Sequence, residues 1–203
     1  AKHVEDAAFI VCGHSITGQL AVYLYYQQSD SFILLHQFQA YTGALNHIQI
    51  GDNMNRIYTI GYDQSHKKEL RIWEFISTRK YYRLEFVIKE ENCTSCTSIS
   101  SNSSNDDDKK VQTELIIQHT LPNSFQLVPH SAHTIASIIY TIPNSTQLAY
   151  IQPLVHPKLL YSYQSLDTLS SIPIERVYYH HASHSILYLN QDYVWNSIHL
   201  KQE

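Results

Sequence analysis

The feature that most constrains this chain is a repeat. Phe9 to Gly13 followed by Gln19 to Tyr25 is matched by Ile57 to Gly61 followed by Glu69 to Phe75. The first halves are offset by 48 residues and the second halves by 50, the difference being a longer turn at Tyr62 to Lys68. Each run is short, rich in β-branched and aromatic side chains, and bounded by Gly, Asn, Asp or Ser, which reads as strand, turn, strand. Echoes recur at Ile135 to Ile142 with Gln147 to Ile151, and at Ser185 to Leu189 with Tyr193 to Ile198. No segment keeps a 3.6-residue apolar period over three turns, so helix is at most a minor element. The expected fold class is all-β.

A small sheet recurring every 40 to 50 residues cannot bury both of its faces alone, and stacking such units around an axis produces a β-propeller. About four units fit this length, at 8–38, 44–118, 133–164 and 172–200. The expectation is therefore one WD40-like propeller segment over 1–203, a partial propeller excerpted from a longer chain. Residues 90–110 break the pattern. Their Ser/Asn tract ends in Asp106-Asp107-Asp108-Lys109-Lys110 and has little to bury, which marks an exposed insertion inside a blade. Acidic residues three positions on make Ser103 and Ser104 candidate phosphorylation sites.

Composition narrows the function classes. With 43% hydrophobic residues against 16% charged, the chain can bury a core. Eighteen carboxylates against 14 Lys and Arg give a net charge of -4, which argues against a nucleic-acid surface. No apolar run is long enough for a membrane-spanning helix, and Ala1 to Ala8 lack the pattern of a signal peptide. Three cysteines, Cys12, Cys93 and Cys96, form no disulfide framework and fit a reducing, cytoplasmic setting. All five Gly precede residue 62 and all six Pro follow residue 121, so the halves use different turn chemistry.

The window Phe32 to Tyr41, Leu45 to Ile48, Arg56 to Asp63 and Glu69 to Phe75 carries a resemblance. Ile72-Trp73-Glu74 looks like the end of a WD40-type repeat, with Glu where that repeat prefers Asp. The window resembles the N-terminal propeller of the family of subunit eleven of the class C vacuolar protein-sorting (HOPS/CORVET) core. Phe38, Ala40 and Tyr41 fit that family's Phe-x-Ala-Tyr, and Asn46-His47 roughly fits its Val-Thr-His-like strand. Gly61 and Asp63 fit its Gly-x-Asp turn; Leu70, Ile72 and Trp73 fit its Leu-x-Lys-Ile-Trp strand, with Arg71 shifted from the Lys. About 45 residues align, and nothing aligns beyond Lys80. The resemblance implies a non-catalytic scaffold in membrane tethering at endosomes or vacuoles. Its partners would be other subunits of a large complex, with membrane contact peripheral and through those partners. The alternative is a WD40-like interaction module of another cytosolic or nuclear assembly.

A third reading is a metal-binding β-domain. His130-x-x-His133 and His180-His181-x-x-His184 place imidazoles at metal-ligand spacing, and Cys93-x-x-Cys96 adds a thiol pair. On a strand, residues three apart face opposite sides, so these histidines converge only around a turn. No Gly-x-Ser-x-Gly and no phosphate-cradling loop is present, so no catalytic residue and no cofactor is assigned. Cys12 reads as a small buried hydrophobe within a strand. Trp73 and Trp195 read as blade-packing anchors, together with Gly61 and Asp63, whose carboxylate is expected to satisfy backbone donors in its turn. Lys67-Lys68 reads as solvated charge, and Arg71 as exposed or paired with Glu69 or Glu74.

Overall fold

A computed structural model describes residues 7–51, 55–90, 99–100, 113–129, 135–155 and 159–200. Sixteen strands occur among them, with no α-helix and two single turns of 3-10 helix. The chain divides into two compact units, Ala1–Val87 and Ile88–Glu203.

The first unit opens with β1 (Ala7–Gly13), β2 (Gln19–Tyr26) and β3 (Ser31–Gln39), an antiparallel sheet in the order β1-β2-β3. It continues with β4 (Leu45–Ile50), β5 (Arg56–Tyr62), β6 (Lys68–Ile76) and β7 (Tyr81–Glu90), neighbours in that order in a second sheet. The two hairpins of the sequence repeat are β1/β2, which pairs Phe9 with Leu24, and β5/β6, which pairs Ile57 with Trp73.

Strand alternation sends every second side chain to one face. Leu20, Val22, Ala40, Tyr41, Leu45, Ile57, Trp73 and Tyr82 form the core between these sheets, with Phe9, Val11 and Phe38 packed against it. Full burial of each such side chain contributes about 1.5–3 kcal/mol, so this contact dominates the unit's stability.

The second unit holds the short pair β8 (Ile99–Ser100) and β9 (Thr113–Ile117), with Ile99 opposite Leu115. Strand β8 lies inside the stretch expected to be an exposed insertion. The second unit continues with β10 (Gln126–Val128), β11 (Ser137–Thr141), β12 (Gln147–Val155) and β13 (Leu159–Asp167), an antiparallel sheet in that order. The last sheet is β14 (Ile174–His180), β15 (Ser185–Asn190) and β16 (Trp195–His199). Val128, Ile139, Leu148 and Tyr150 from the former sheet meet Ile174, Val177, Tyr179, Ile186 and Tyr188 from the latter, closing a second core.

Candidate interaction surface

Turn chemistry places the side chains that reach solvent. At the β5/β6 turn the Asp63 carboxylate accepts from the backbone N–H of Ser65 and of Lys67, both at 2.8 Å. At the β15/β16 turn Asn190 Oδ1 accepts from Asp192 N–H at 3.1 Å and Val194 N–H at 2.9 Å, the same i+2 and i+4 pattern. The residue before the last donor has positive φ in each case, His66 at 58° and Tyr193 at 62°. Asx side chains mimic a backbone turn in this way and hold it without help from packing. The second turn therefore projects Tyr193 outward, 77% exposed, with half-exposed Val194 beside it.

Trp195 follows directly and is 54% exposed, its ring 5.7 Å from that of exposed Tyr178 on β14. The expectation of a packing anchor at Trp195 does not hold within the described residues. Ile198 packs on the core and Trp195, three residues earlier, falls on the opposite face of β16. Tyr178 lies outward between the core residues Val177 and Tyr179 for the same reason, and half-buried Leu187 is its cross-strand partner on β15.

A second apolar surface lies on the outer face of β1–β3. Register aligns Ala8 with Tyr25 and Tyr25 with Phe32, then Ile10 with Tyr23 and Tyr23 with Leu34. Phe32 is 59% exposed and its ring lies 4.7 Å from that of Tyr25. Cys12 shares this face, paired with Ala21, and is exposed rather than buried as expected; its neighbour Val11 is the one that packs, partly buried, against the core.

Trp73 is 6% exposed within the first core, and its indole N–H donates to Thr59 Oγ1 at 3.0 Å. Thr59 Oγ1 in turn donates to Arg71 O at 3.2 Å, and Tyr41 Oη lies 2.9 Å from Thr59 O and 3.1 Å from Glu69 O. Burial pushes the Tyr41 phenol well above its ordinary pKa, against the pull of the Thr59 bond and the Arg71 charge. Arg71 resolves to Glu69, at 2.6 Å, and its guanidinium lies 4.5 Å from the Tyr41 ring centre while also donating to Ala40 O. Gly61 leaves room for that ring, because a Cβ there would sit 2.6 Å from Tyr41 Cγ. Lys68 is buried rather than solvated, its ammonium 5.7 Å from the Tyr62 ring centre.

The histidines fall into turns. His180 Nδ1 shares a 2.7 Å hydrogen bond with Ser183 Oγ, His184 Nδ1 one of 2.9 Å with Tyr179 Oη, and His181 packs edge-on against the Tyr179 ring. Among the described residues no group of three or more His, Cys, Asp or Glu is placed to hold a metal ion. His130, His133, Cys93, Cys96, Ser103 and Ser104 lie outside the described residues. None of the described helices is long and apolar enough to cross a membrane.

No family model matches the chain, and no curated relative matches it. Among solved structures the chain is similar to the β-propeller domain of Cps50 (Swd1) from Myceliophteria thermophila. That match has a TM-score of 0.53 and 9% identity, over 97% of this chain and 51% of the other. The fold is that of a β-propeller. A putative 6-phosphogluconolactonase from Bacteroides fragilis is also similar, with a TM-score of 0.59 and 8% identity over 100% of this chain and 51% of that one. This propeller chain thus spans about half the length of the solved structures it matches.

Proposed function

We propose that this chain is a non-catalytic β-propeller scaffold that binds other protein subunits, and that the assembly it serves tethers endosomal or vacuolar membranes. The observation that carries the scaffold reading is the presentation of large apolar side chains on fixed supports. Tyr193 and Val194 sit on a turn locked by Asn190, and Trp195 lies against Tyr178 in a tilted ring contact. Aromatic residues held this way lose little entropy on binding, which is what interface anchors require. The tethering assignment rests on the resemblance carried by Phe38, Ala40, Tyr41, Gly61, Asp63 and Trp73. A net charge of -4 favours protein partners over nucleic acid, and membrane contact would be peripheral, through those partners from the cytoplasmic side.

The test is affinity purification of the native protein with mass spectrometry of what survives a moderate-salt wash. Class C tethering subunits in comparable amounts are the expected result. A different stoichiometric assembly would retain the scaffold and remove the tethering role; no protein partner would overturn both. A Tyr193→Ser variant should recover less of the partner while melting at an unchanged temperature, since surface changes of this kind cost within about 0.5 kcal/mol.

A further inference from the structure

We propose that one end of the second unit docks a short basic segment of a partner protein, in which an apolar side chain stands next to Lys or Arg. The inference rests on the scaffold reading and names the chemistry of the partner. Three loops meet at that end: the β11/β12 turn, the β13–β14 connection and the β15/β16 turn. Ile174 N–H donates to Ser145 O at 2.9 Å, Gln191 N–H to Pro173 O at 3.0 Å and Thr168 Oγ1 to Thr146 O, so the three are tied together. Within the connection, Ser170 Oγ donates to Ile172 O at 2.7 Å and Ser170 N–H to Thr168 Oγ1 at 3.3 Å. Leu169 stands between these two hydroxyl residues and is 96% exposed. Together with Tyr193 and Val194 it places apolar side chains on backbone that is already fixed, which lowers the ordering cost of binding.

The exposure belongs to the loops themselves. Asp63 holds the β5/β6 turn by the same two bonds, in a sheet where β4 and β7 flank that hairpin. His66 and Lys67, in the places of Tyr193 and Val194, are exposed there too. The turn therefore accepts His and Lys, and nothing in its hydrogen bonding calls for Tyr and Val.

Charge selects the partner. The loops 141–146, 167–173 and 190–194 contain Asp167 and Asp192 and no Lys, Arg or His. Asp167 accepts from Gln147 Nε2 at 2.7 Å, and both aspartates are exposed, one before Tyr193 and the other close before Leu169. Arg176, the nearest base along the chain, lies on β14 beside Glu175 at 3.9 Å. A basic segment is attracted by both carboxylates and an acidic one is repelled. An apolar side chain beside those bases covers Leu169 and Tyr193. The matching turn of the first unit, with His66 and Lys67, has the opposite sign and does not suit such a segment.

The test is selection from a displayed library of short random peptides with the purified native protein as bait, followed by titration of the selected peptides by fluorescence anisotropy. The selected peptides should combine Lys or Arg with Leu, Phe or Trp. Leu169→Ser and Tyr193→Ser should each weaken binding about tenfold or more, with circular dichroism and melting temperature unchanged. Asp167→Asn, which keeps an acceptor for Gln147, and Asp192→Asn should each weaken it about two- to fivefold and reduce its dependence on salt. Lys67→Ser, on the matching turn, should leave binding as it is.

No selected peptide, selected peptides without a base, or binding that Leu169→Ser and Tyr193→Ser leave intact overturns the proposal. Affinity purification of the Leu169→Ser protein judges the scaffold reading separately. Protein partners recovered in undiminished amounts would overturn this site and keep the scaffold, whereas no partner recovered with the wild type removes the reading beneath it.

Discussion

Tyr179 Oη and His184 Nδ1 share a 2.9 Å hydrogen bond across the β14/β15 turn, and Tyr25 Oη and Asp30 Oδ1 share one of 3.0 Å across the β2/β3 turn. In both, a strand ends at an extended residue, one turn of 3-10 helix follows, and a left-handed residue starts the next strand, His184 at φ 47° and Asp30 at φ 45°. The tyrosine five positions back holds that strained residue by its side chain. Lys80, at φ 53° and 50 residues after Asp30, occupies the equivalent place between β6 and β7, with Phe75 where the other turns have Tyr.

Lys80 therefore carries left-handed strain without the tyrosine bond. The strain costs about 1–2 kcal/mol and the extra freedom of glycine costs about 0.5–1 kcal/mol, so Lys80→Gly should stabilise the protein by about 0.5 kcal/mol. Asp30→Gly loses the Tyr25 bond and should gain nothing. Tyr179→Phe should cost about 1 kcal/mol, since its hydroxyl is half-buried. Chemical denaturation of the three variants at one pH checks this ordering.

Thr59 is a junction whose hydroxyl accepts from Trp73 and donates to Arg71 O. Thr59→Val keeps the shape and leaves the indole N–H buried without its acceptor, which should cost about 1–3 kcal/mol. Gly61→Ala meets the Tyr41 ring and Ala44 O together, at 2.6 and 2.8 Å, and neither is the end of a flexible chain. It should cost about as much or more, by forcing Tyr41 off its hydrogen bonds. Far-UV melting of both variants should show a single lowered transition for the first unit.

What the sequence disclosed follows from where the signal is local. The strand runs are legible because alternation and bounding turn residues lie within a few positions, as at Gln19–Tyr26 and Arg56–Tyr62. Asp63 is legible as a turn acceptor because its donors lie within four residues. The matching turn at Asn190 was readable from the shared Gln and aromatic positions of Asp-Gln-Ser-His and Asn-Gln-Asp-Tyr. Which face of a strand is covered depends on sheets far away in sequence, so the exposure of Trp195 and Cys12 among the described residues is not legible from their own strands. The closely spaced His180, His181 and His184 share one turn, in which left-handed His184 is bonded by the Tyr179 hydroxyl.

His36 Nδ1 accepts from Tyr82 N–H at 3.2 Å, and burial lowers its pKa below 6.5. Burial also lowers His119, beside Tyr140 Oη at 2.9 Å, while the Glu90 charge pulls it back up. For a histidine lowered on folding, the unfolded chain binds more protons at mildly acid pH. The stability from these two groups is fully present above 6.5 and falls as pH drops through that value toward the folded pKa. Melting temperature should therefore decline from pH 7 to 5, and His36→Gln should flatten the decline. Glu90→Gln removes the opposing pull on His119 and should steepen it, while its amide oxygen can still accept from Leu121 N–H.

The charge arrangement across β5, β6 and β7 separates two kinds of ion pair. Arg56 is buried and reaches Glu85 through two bonds, Nε at 2.7 Å and a terminal nitrogen at 3.0 Å, with Glu74 3.7 Å away. Arg83 reaches Glu74 at 2.7 Å through a side chain about a third exposed. Glu85→Gln strips the bidentate partner from a buried guanidinium and should cost about 3–5 kcal/mol, because the charge stays where water cannot solvate it. Arg83→Gln removes a screened partner from a carboxylate that still has Arg56 nearby, and should cost about 1 kcal/mol or less. Raising the salt concentration should shrink the second effect and leave the first nearly unchanged. Equal costs for the two substitutions, or a Glu85→Gln effect that salt abolishes, would show that Arg56 is solvated and that this pair does not hold β5 to β7.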